Sequence, residues 1–565
     1  MKFFTIILVL STLLLNARPT GQMASEINYS INYKLNSPFQ SLVNKIYALN
    51  GGNALWVDSP RFSQALQVLE NGTYNYLNRN YNKNEIQQLS LAIRNGSIPP
   101  QNIIKAKARL DVMVTDGLLH LLHFIRVGDT DWRLVQKKLK MVKDRQDVKA
   151  VWEMKPKTMP SAKSFLAGIK RGGVSRYFGS QLPLRKRFIP YVRILKKYQK
   201  MPRFSKLHTG RTIKLGASDD RVSQIKKMLQ FFGDYPKGRS TSSNYFDKVT
   251  ANAVRSFRDR FKLPAGNYVD NKMIYYLNRD KNYYIKKILV NLEKLRLYPS
   301  SFESTHIEVN VPEYKMRFYV GGRLLFSSDV VVGRIDRPTP IFNSKMSYMV
   351  LNPTWTIPDN LIKRDLIPAL KKHPSYLQEH NIHVYRGKKE VELNLEELFS
   401  YEHKKERVPY RFVQFPSKNN ALGRVKFMFP NRYSVYLHDT DNRDLFKYRY
   451  RVFSSGCMRV ERPFGFMHKL LRFAKGSYSQ AKIKAIFDSN EPTTIKFKRL
   501  IPVHIVYFTV NKVGKKVYFL YDIYLYDQMI WESMSGHKKS TFKVPRNRLD
   551  PLRKSRKKRK SFFGV

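Results

Sequence analysis

The hydrophobic period of this chain changes near Thr305, and that change limits what the chain can fold into. Before it, apolar residues recur at three- and four-residue spacing, as at Ile86, Leu89 and Ile93, the mark of half-buried helices. After it they alternate, as in Ile307-Glu308-Val309-Asn310-Val311. There Lys315–Val320 meets Arg323–Phe326 across Gly321-Gly322, a hairpin signal. A chain of 565 residues holds roughly three domains at about 150 residues each. The expectation is therefore a multi-domain α+β protein, helical first and β-rich afterwards.

Finer boundaries follow from local signals. Residues 1–24 read as a signal peptide: Lys2 precedes a largely apolar run from Phe3 to Leu15. That run falls short of the ~20 residues that span a bilayer. Ala17 and Ala24 are candidate cleavage points, and no lipobox cysteine follows. Residues 25–210 read as a helical domain, ending in a basic, Pro-punctuated connector over 181–214. Residues 211–280 read as a small three-helix domain. Its first helix carries Val222, Ile225 and Leu229 on one stripe, with Ser218 or Asp219 as cap; further helices follow near Phe246–Phe257 and at Asn271–Leu277. Residues 281–304 are a linker or a return to the first domain. The β-rich domain spans 305–527, with a polar, helical insertion over about 361–411 that carries His373, His380, His383 and His403 and reads as a lid. Residues 528–565 read as a basic tail, ending in Arg553–Lys560.

Lys and Arg number 103 against 43 Asp and Glu, a net charge of +60. Such a balance first suggests nucleic acid. The basic residues are spread along the whole chain, however, and no homeodomain, zinc-finger or RNA-recognition string occurs, so no nucleic-acid partner is expected. An exported protein this basic meets anionic envelope polymers instead. His120 and His123 share a helix face but lack a third ligand of suitable spacing, so neither a metal nor a cofactor is expected.

Cys457 is the single cysteine, in Ser454-Ser455-Gly456-Cys457-Met458-Arg459. A lone cysteine is usually a small buried hydrophobe. Here a Ser-Ser-Gly lead-in makes poor core but a good tight turn, and an exported thiol left unpaired favours chemistry over packing. A free thiol is only a few per cent thiolate at neutral pH, so it needs a base. His438, at the end of the alternating run Val435–His438, is the candidate. Tyr436 shares the face of His438 and either lines a substrate site or packs the strand; Asp439 points to the other face. Arg459 reads equally as a clamp on a substrate carboxylate or as a salt-bridged brace. The Gly456 and Cys457 N–H groups are oxyanion-hole candidates, and Ser455 contacts substrate or shapes the turn.

The strand ending in His438 and the Ser-Ser-Gly-Cys-Met-Arg string resemble the L,D-transpeptidase catalytic domain, whose signature is a His followed by Ser-x-Gly-Cys-x-Arg. Asn419–Asn431, Pro502–Thr509 and Tyr521–Tyr524 resemble the large, multi-domain, Gram-negative branch of that family. Leu215-Gly216, Asp247, Ala253 and Phe257 resemble a peptidoglycan-binding domain. The resemblance covers roughly residues 30–527. It implies a helical scaffold, a peptidoglycan-binding domain and a catalytic domain with a capping insertion. It implies Cys457 as nucleophile, His438 as base and proton donor, peptidoglycan stem peptides as substrates, carbapenem-type β-lactams as inhibitors, and a periplasmic location. The reaction implied is a 3→3 cross-link through a Cys457 thioester with release of D-Ala. Water as acceptor would make a carboxypeptidase, and an envelope-protein lysine would make an attachment enzyme. Two departures stand out: Asp441 replaces the Pro that usually follows His-Asp-Thr, and Pro416-Ser417-Lys418 replaces Pro-Gly-Pro.

Overall fold

The computed structural model describes residues 20–146 and 150–534. The signal run Phe3–Leu15 and the basic string Arg553–Lys560 lie outside the described residues. Two compact units emerge. The first takes residues up to Thr130, Lys155–Pro202 and Lys281–Ser301; the second takes Asp131–Met154, Arg203–Asp280 and everything from Phe302.

The first unit is helical. Its long helix Ile103–Arg126 is buried along most of its length. Asp111 on that helix accepts hydrogen bonds from Leu55 N (2.9 Å), Trp56 N (2.8 Å), Val57 N (2.8 Å) and the Tyr47 hydroxyl (2.6 Å), which fixes the loop before the helix Arg61–Glu70. Buried polar groups are tolerated when their bonds are filled in this way. The helix Lys281–Leu295 packs against Arg185–Gln199, so the chain returns to this unit after leaving it.

In the second unit, helices Arg221–Phe232, Lys248–Arg260 and Asn271–Leu277 form a small bundle around Val222, Ile225, Leu229, Val254 and Phe257. Asp247 caps the middle helix through Thr250 N at 2.7 Å, and Asp270 caps the third through Met273 N at 2.8 Å. At the first helix the capping position is Asp220, without a side-chain cap bond, rather than Ser218 or Asp219; the Asp219 carboxylate is committed to Arg221.

The β-rich region begins with β1 (His306–Asn310), β2 (Lys315–Val320), β3 (Arg323–Gly333) and β4 (Asn343–Leu351). Gly321 and Gly322, both at positive φ (57° and 77°), make the β2–β3 turn. The insertion contributes β5 (Trp355–Thr356), β6 (Ile382–Arg386), β7 (Lys389–Glu390) and β8 (Arg411–Gln414). These four form their own antiparallel sheet in the order β5-β8-β6-β7, beside short helices, so the cap holds a sheet as well as the expected helices. Then follow β9 (Val425–Met428), β10 (Leu437–His438), β11 (Val452–Ser454), β12 (Met458–Val460) and β13 (Thr493–Val506). The order β3-β12-β10-β9-β4-β13-β1-β2, with β2 paired back onto β3, closes eight strands on themselves. Closure removes the exposed edges that an open sheet would leave. Val332, Met458, Leu437, Phe427, Met349 and Ile495 form one buried row of this barrel.

The hairpin of β14 (Val510–Val513) and β15 (Lys516–Phe519) meets the small bundle: Phe519 stacks on Phe261 and Arg260 Nη1 donates to Val517 O at 2.6 Å. Two segments differ from the sequence reading. Residues 131–154 group with the second unit because Trp152 packs on Trp132, Tyr507 and Tyr526. Residues 528–534, assigned to the tail, belong to a helix, Tyr526–Met534, that buries Met529 and Ile530. Among the described residues no helix is long and apolar enough to cross a membrane.

Candidate active site

Strand register assembles the site. His438 pairs with Arg459 on β12 and with Lys426 on β9. Paired residues share a face and the next residue along points away, so Lys426, His438 and Arg459 form a row on the face opposite Leu437, Phe427 and Met458. Tyr436 and Cys457 lie one pleat earlier on the same face, held by the Met458 N to Tyr436 O bond of 3.0 Å. Thus the thiol, the imidazole and the phenol, read separately from the sequence, meet on one surface.

The cysteine turn is held in place through nearly every polar group it has. Ser454 Oγ donates to Cys457 O (2.5 Å) and accepts from Gly456 N (3.2 Å). Thr339 Oγ1 donates to Gly456 O (2.9 Å) and accepts from Gly333 N (2.8 Å). Tyr524 OH donates to Gly333 O (2.6 Å) and accepts from Thr339 N (3.1 Å). Gly456 sits at φ 121°, which a side chain would strain. Its N–H is already spent on Ser454 Oγ, so the oxyanion assignment passes from Gly456 to the remaining candidate, the Cys457 N–H. Ser455 Oγ accepts from Arg337 Nη1 at 3.0 Å.

The part-exposed Cys457 thiol has Ser434 O as its nearest hydrogen-bond acceptor, at 3.7 Å. Burial pushes the thiol up to about 11, opposed by hydrogen bonds from Tyr436 and by the Arg459 charge. His438 is only 3% exposed. Burial, then Arg459 and Lys426, hold it down at about 3; the Asp439 backbone works the other way. Even so, the buried His438 Nδ1 makes no hydrogen bond of normal geometry. Both partners are therefore uncharged at neutral pH. Arg459 acts on the two in opposite senses, favouring thiolate and disfavouring imidazolium.

Arg459 is 4% exposed and its Nη1 reaches Thr440 Oγ1 at 3.4 Å, with the Asp441 carboxylate close enough to favour its charge. That burial fits the brace rather than the open clamp, and Asp441, where the resemblance leads one to expect Pro, supplies the countercharge. Asp439 faces away, taken up by Arg424 N (2.9 Å) and Arg443 Nη2 (2.6 Å). Tyr436 packs against the cap core of Trp355, Leu361, Tyr376 and Phe412, and its hydroxyl interacts with both Trp355 and the thiol. The cap thus reaches the thiol through Tyr436.

Sequence reading missed Thr339, Tyr524, Arg337 and Lys426. Lys426 alone left a trace, as a charge in the otherwise apolar run Val425–Phe429. Its ammonium donates to Thr354 O at 3.3 Å and pairs with no carboxylate among the described residues. Among the described residues no group of three or more His, Cys, Asp or Glu could hold a metal ion.

Residues 304–505 match the YkuD family, the L,D-transpeptidase catalytic domain. Residues 41–186 match a scaffold domain, and residues 218–275 match a family described as "Putative peptidoglycan binding domain". A Haemophilus influenzae protein named "Putative L,D-transpeptidase" is 35% identical over 245 residues, which is 43% of this chain and 49% of that protein. The chain thus spans about half the length of this curated relative. Two solved structures are more distant. The Ldtfm-avibactam carbamoyl enzyme is 15% identical over 37% of this chain and 52% of its own, at a TM-score of 0.16. A fused Zn-dependent amidase/peptidase/peptidoglycan-binding protein from Clostridium acetobutylicum is 12% identical over 52% of this chain and 99% of its own, at 0.14. At those scores neither carries an argument. The matched domains do: along the chain, in this order, lie matches to a scaffold domain, a peptidoglycan-binding domain and, over residues 304–505, an L,D-transpeptidase catalytic domain.

Proposed function

We propose that this protein is a periplasmic enzyme that forms 3→3 cross-links between peptidoglycan stem peptides through a thioester on Cys457. The observation that carries the reading is that the single thiol stands on a rigid turn, on the same barrel face as a neutral, buried imidazole. Neutral imidazole is the form that can accept a proton. With the thiol at about 11 and the imidazole at about 3, transfer in the resting site is steeply unfavourable. Thiolate formation is therefore tied to the moment when peptide and water enter under the cap and relieve the burial that causes both shifts.

Sγ then attacks the carbonyl of the L-centre of diaminopimelate in a tetrapeptide stem. The C–S bond forms, the C–N bond to D-Ala breaks, and His438 returns its proton to the leaving amine. The oxyanion points to the Cys457 N–H. The side-chain amine of a second stem next attacks the thioester; a C–N bond forms, the C–S bond breaks, and the thiol takes back its proton. The cleaved peptide bond supplies the acyl group, so no nucleotide is consumed. The same electrophile-seeking thiol would open a carbapenem-type β-lactam.

The test is incubation of the protein with tetrapeptide muropeptides, with products read by mass spectrometry beside Cys457→Ala. Dimers joined between two diaminopimelate residues, absent from the variant, are expected. Tripeptides alone would move the reading to hydrolysis, and no product at all would sink both.

A further inference from the structure

Arg337 lies in the turn between β3 and β4, against the cysteine turn, and its side chain is 12% exposed. It serves the protein through one nitrogen: Nη1 donates to Asp365 Oδ2 of the cap at 2.7 Å and to Ser455 Oγ at 3.0 Å. The rest of the guanidinium is unused. Nε is buried without a hydrogen-bond partner, and no bond from Nη2 occurs among the described residues. The closest carboxylate to that edge, Asp336, stands 3.9 Å from Nε, beyond hydrogen bonding, and is gripped by Arg334 at 2.8 and 3.0 Å. A buried donor left empty calls for an explanation. The Nε–Nη2 edge is one of the two forks by which Arg takes a carboxylate bidentately. Here it is held, by a hydrogen bond to Ser455, two residues from the nucleophile.

We propose that Arg337 recognises a carboxylate of the donor peptide, taking it on the Nε–Nη2 edge while Nη1 keeps the cysteine turn tied to the cap. This rests on the stem-peptide reading above. Two carboxylates belong to the residues on either side of the scissile bond in such a donor: the terminal carboxylate of the leaving D-Ala and the free carboxylate on the D-centre of diaminopimelate, at the end of its side chain. Each offers the same planar, anionic pair of oxygens. Arg459 is buried and braced, and Lys426, on the far side of His438, is a point charge rather than a fork. Of the three cations, only Arg337 has shape as well as charge to offer.

The test uses the full chain, Arg337→Gln and Arg337→Lys, and three peptides: the tetrapeptide stem, its C-terminal amide, and the stem amidated on diaminopimelate. Arg337→Gln should lower kcat/KM on the plain stem by about 10–100-fold, the worth of a charge-assisted bidentate pair, chiefly through KM. Wild type should lose a similar factor on whichever amide removes the recognised carboxylate, and Arg337→Gln should lose nothing further on that peptide. Arg337→Lys, with charge but no fork, should fall between. Peptide binding to Cys457→Ala, with and without Arg337→Gln, reads the same preference without turnover. Equal losses on all three peptides, or none, overturn the inference while leaving the proposed reaction standing. A wild type that neither binds nor turns over any stem peptide overturns the reaction, and this inference with it.

Discussion

Two buried polar clusters in this protein are built to opposite rules. In the scaffold unit, Arg296 is wholly buried, and every edge of its guanidinium is filled: Nε by Phe124 O (2.8 Å), Nη1 by Glu293 (2.6 Å), Nη2 by the Tyr76 hydroxyl (2.9 Å). Glu293 is matched in turn by Asp129 N, Thr130 N and Thr130 Oγ1. In the catalytic domain, His438 Nδ1 and Arg337 Nε are buried without partners, and the thiol is met by Tyr436 and by a long contact to the Ser434 carbonyl. The first cluster holds a fold together. The second stores unspent donors and neutral titratable groups around one sulfur. Around Arg296 the buried donors are filled, whereas beside the thiol two are left open.

Breaking each cluster should therefore break different things. His438→Ala should lower turnover by about 10²–10⁴-fold, the usual worth of a general base, with neutral-pH stability little changed. A rate loss matched by loss of folded protein would place His438 with the structural cluster instead. Arg296→Met leaves Glu293 buried without its countercharge. It should cost about 3–5 kcal/mol in denaturant unfolding of the scaffold, while Cys457 alkylation stays at the wild-type rate. Slowed alkylation in that variant would erase the distinction.

The pH response sharpens the comparison further. Below about 6.5 the unfolded imidazole of residue 438 takes a proton that the folded one refuses until about 3, so stability falls as pH drops through that window. Relative to His438→Gln, wild type should lose about 2 kcal/mol between pH 7 and pH 5. Parallel stability curves would mean that the imidazole is not buried neutral. The smallest effect expected is at Tyr436, whose hydrogen bonds help hold the thiol down. Tyr436→Phe should slow iodoacetamide labelling of Cys457 about two- to tenfold near pH 8, and an unchanged rate would remove the hydroxyl from the site.

Legibility in the sequence followed range. Cys457, His438 and Tyr436 could be read because a lone thiol, a turn and a two-residue period are local signals. The small bundle was readable for the same reason, down to the helix Asn271–Leu277. Arg337 and Tyr524 were not, because Arg337 meets Ser455 across 118 residues of chain and Tyr524 meets Gly333 across 191. The sheet within the cap escaped because its strands are short: β6 has five residues and β5 and β7 two each. Residues 131–154 read as part of the helical domain over 25–210, and it takes long-range contacts such as Trp152 on Tyr507 and Tyr526 to tie them to the second unit. The use of Gly456 N–H by Ser454 Oγ depends on a side-chain rotamer that no spacing rule reveals.

The most direct test is to mix the protein with tetrapeptide stem, quench in acid within the first turnovers, and map the mass added to each peptide. The account predicts an acyl group equal to the stem less D-Ala, attached to the peptide that contains Cys457 and much reduced in His438→Ala. Turnover to cross-linked dimers with no such adduct, or an adduct on any other residue, would contradict it.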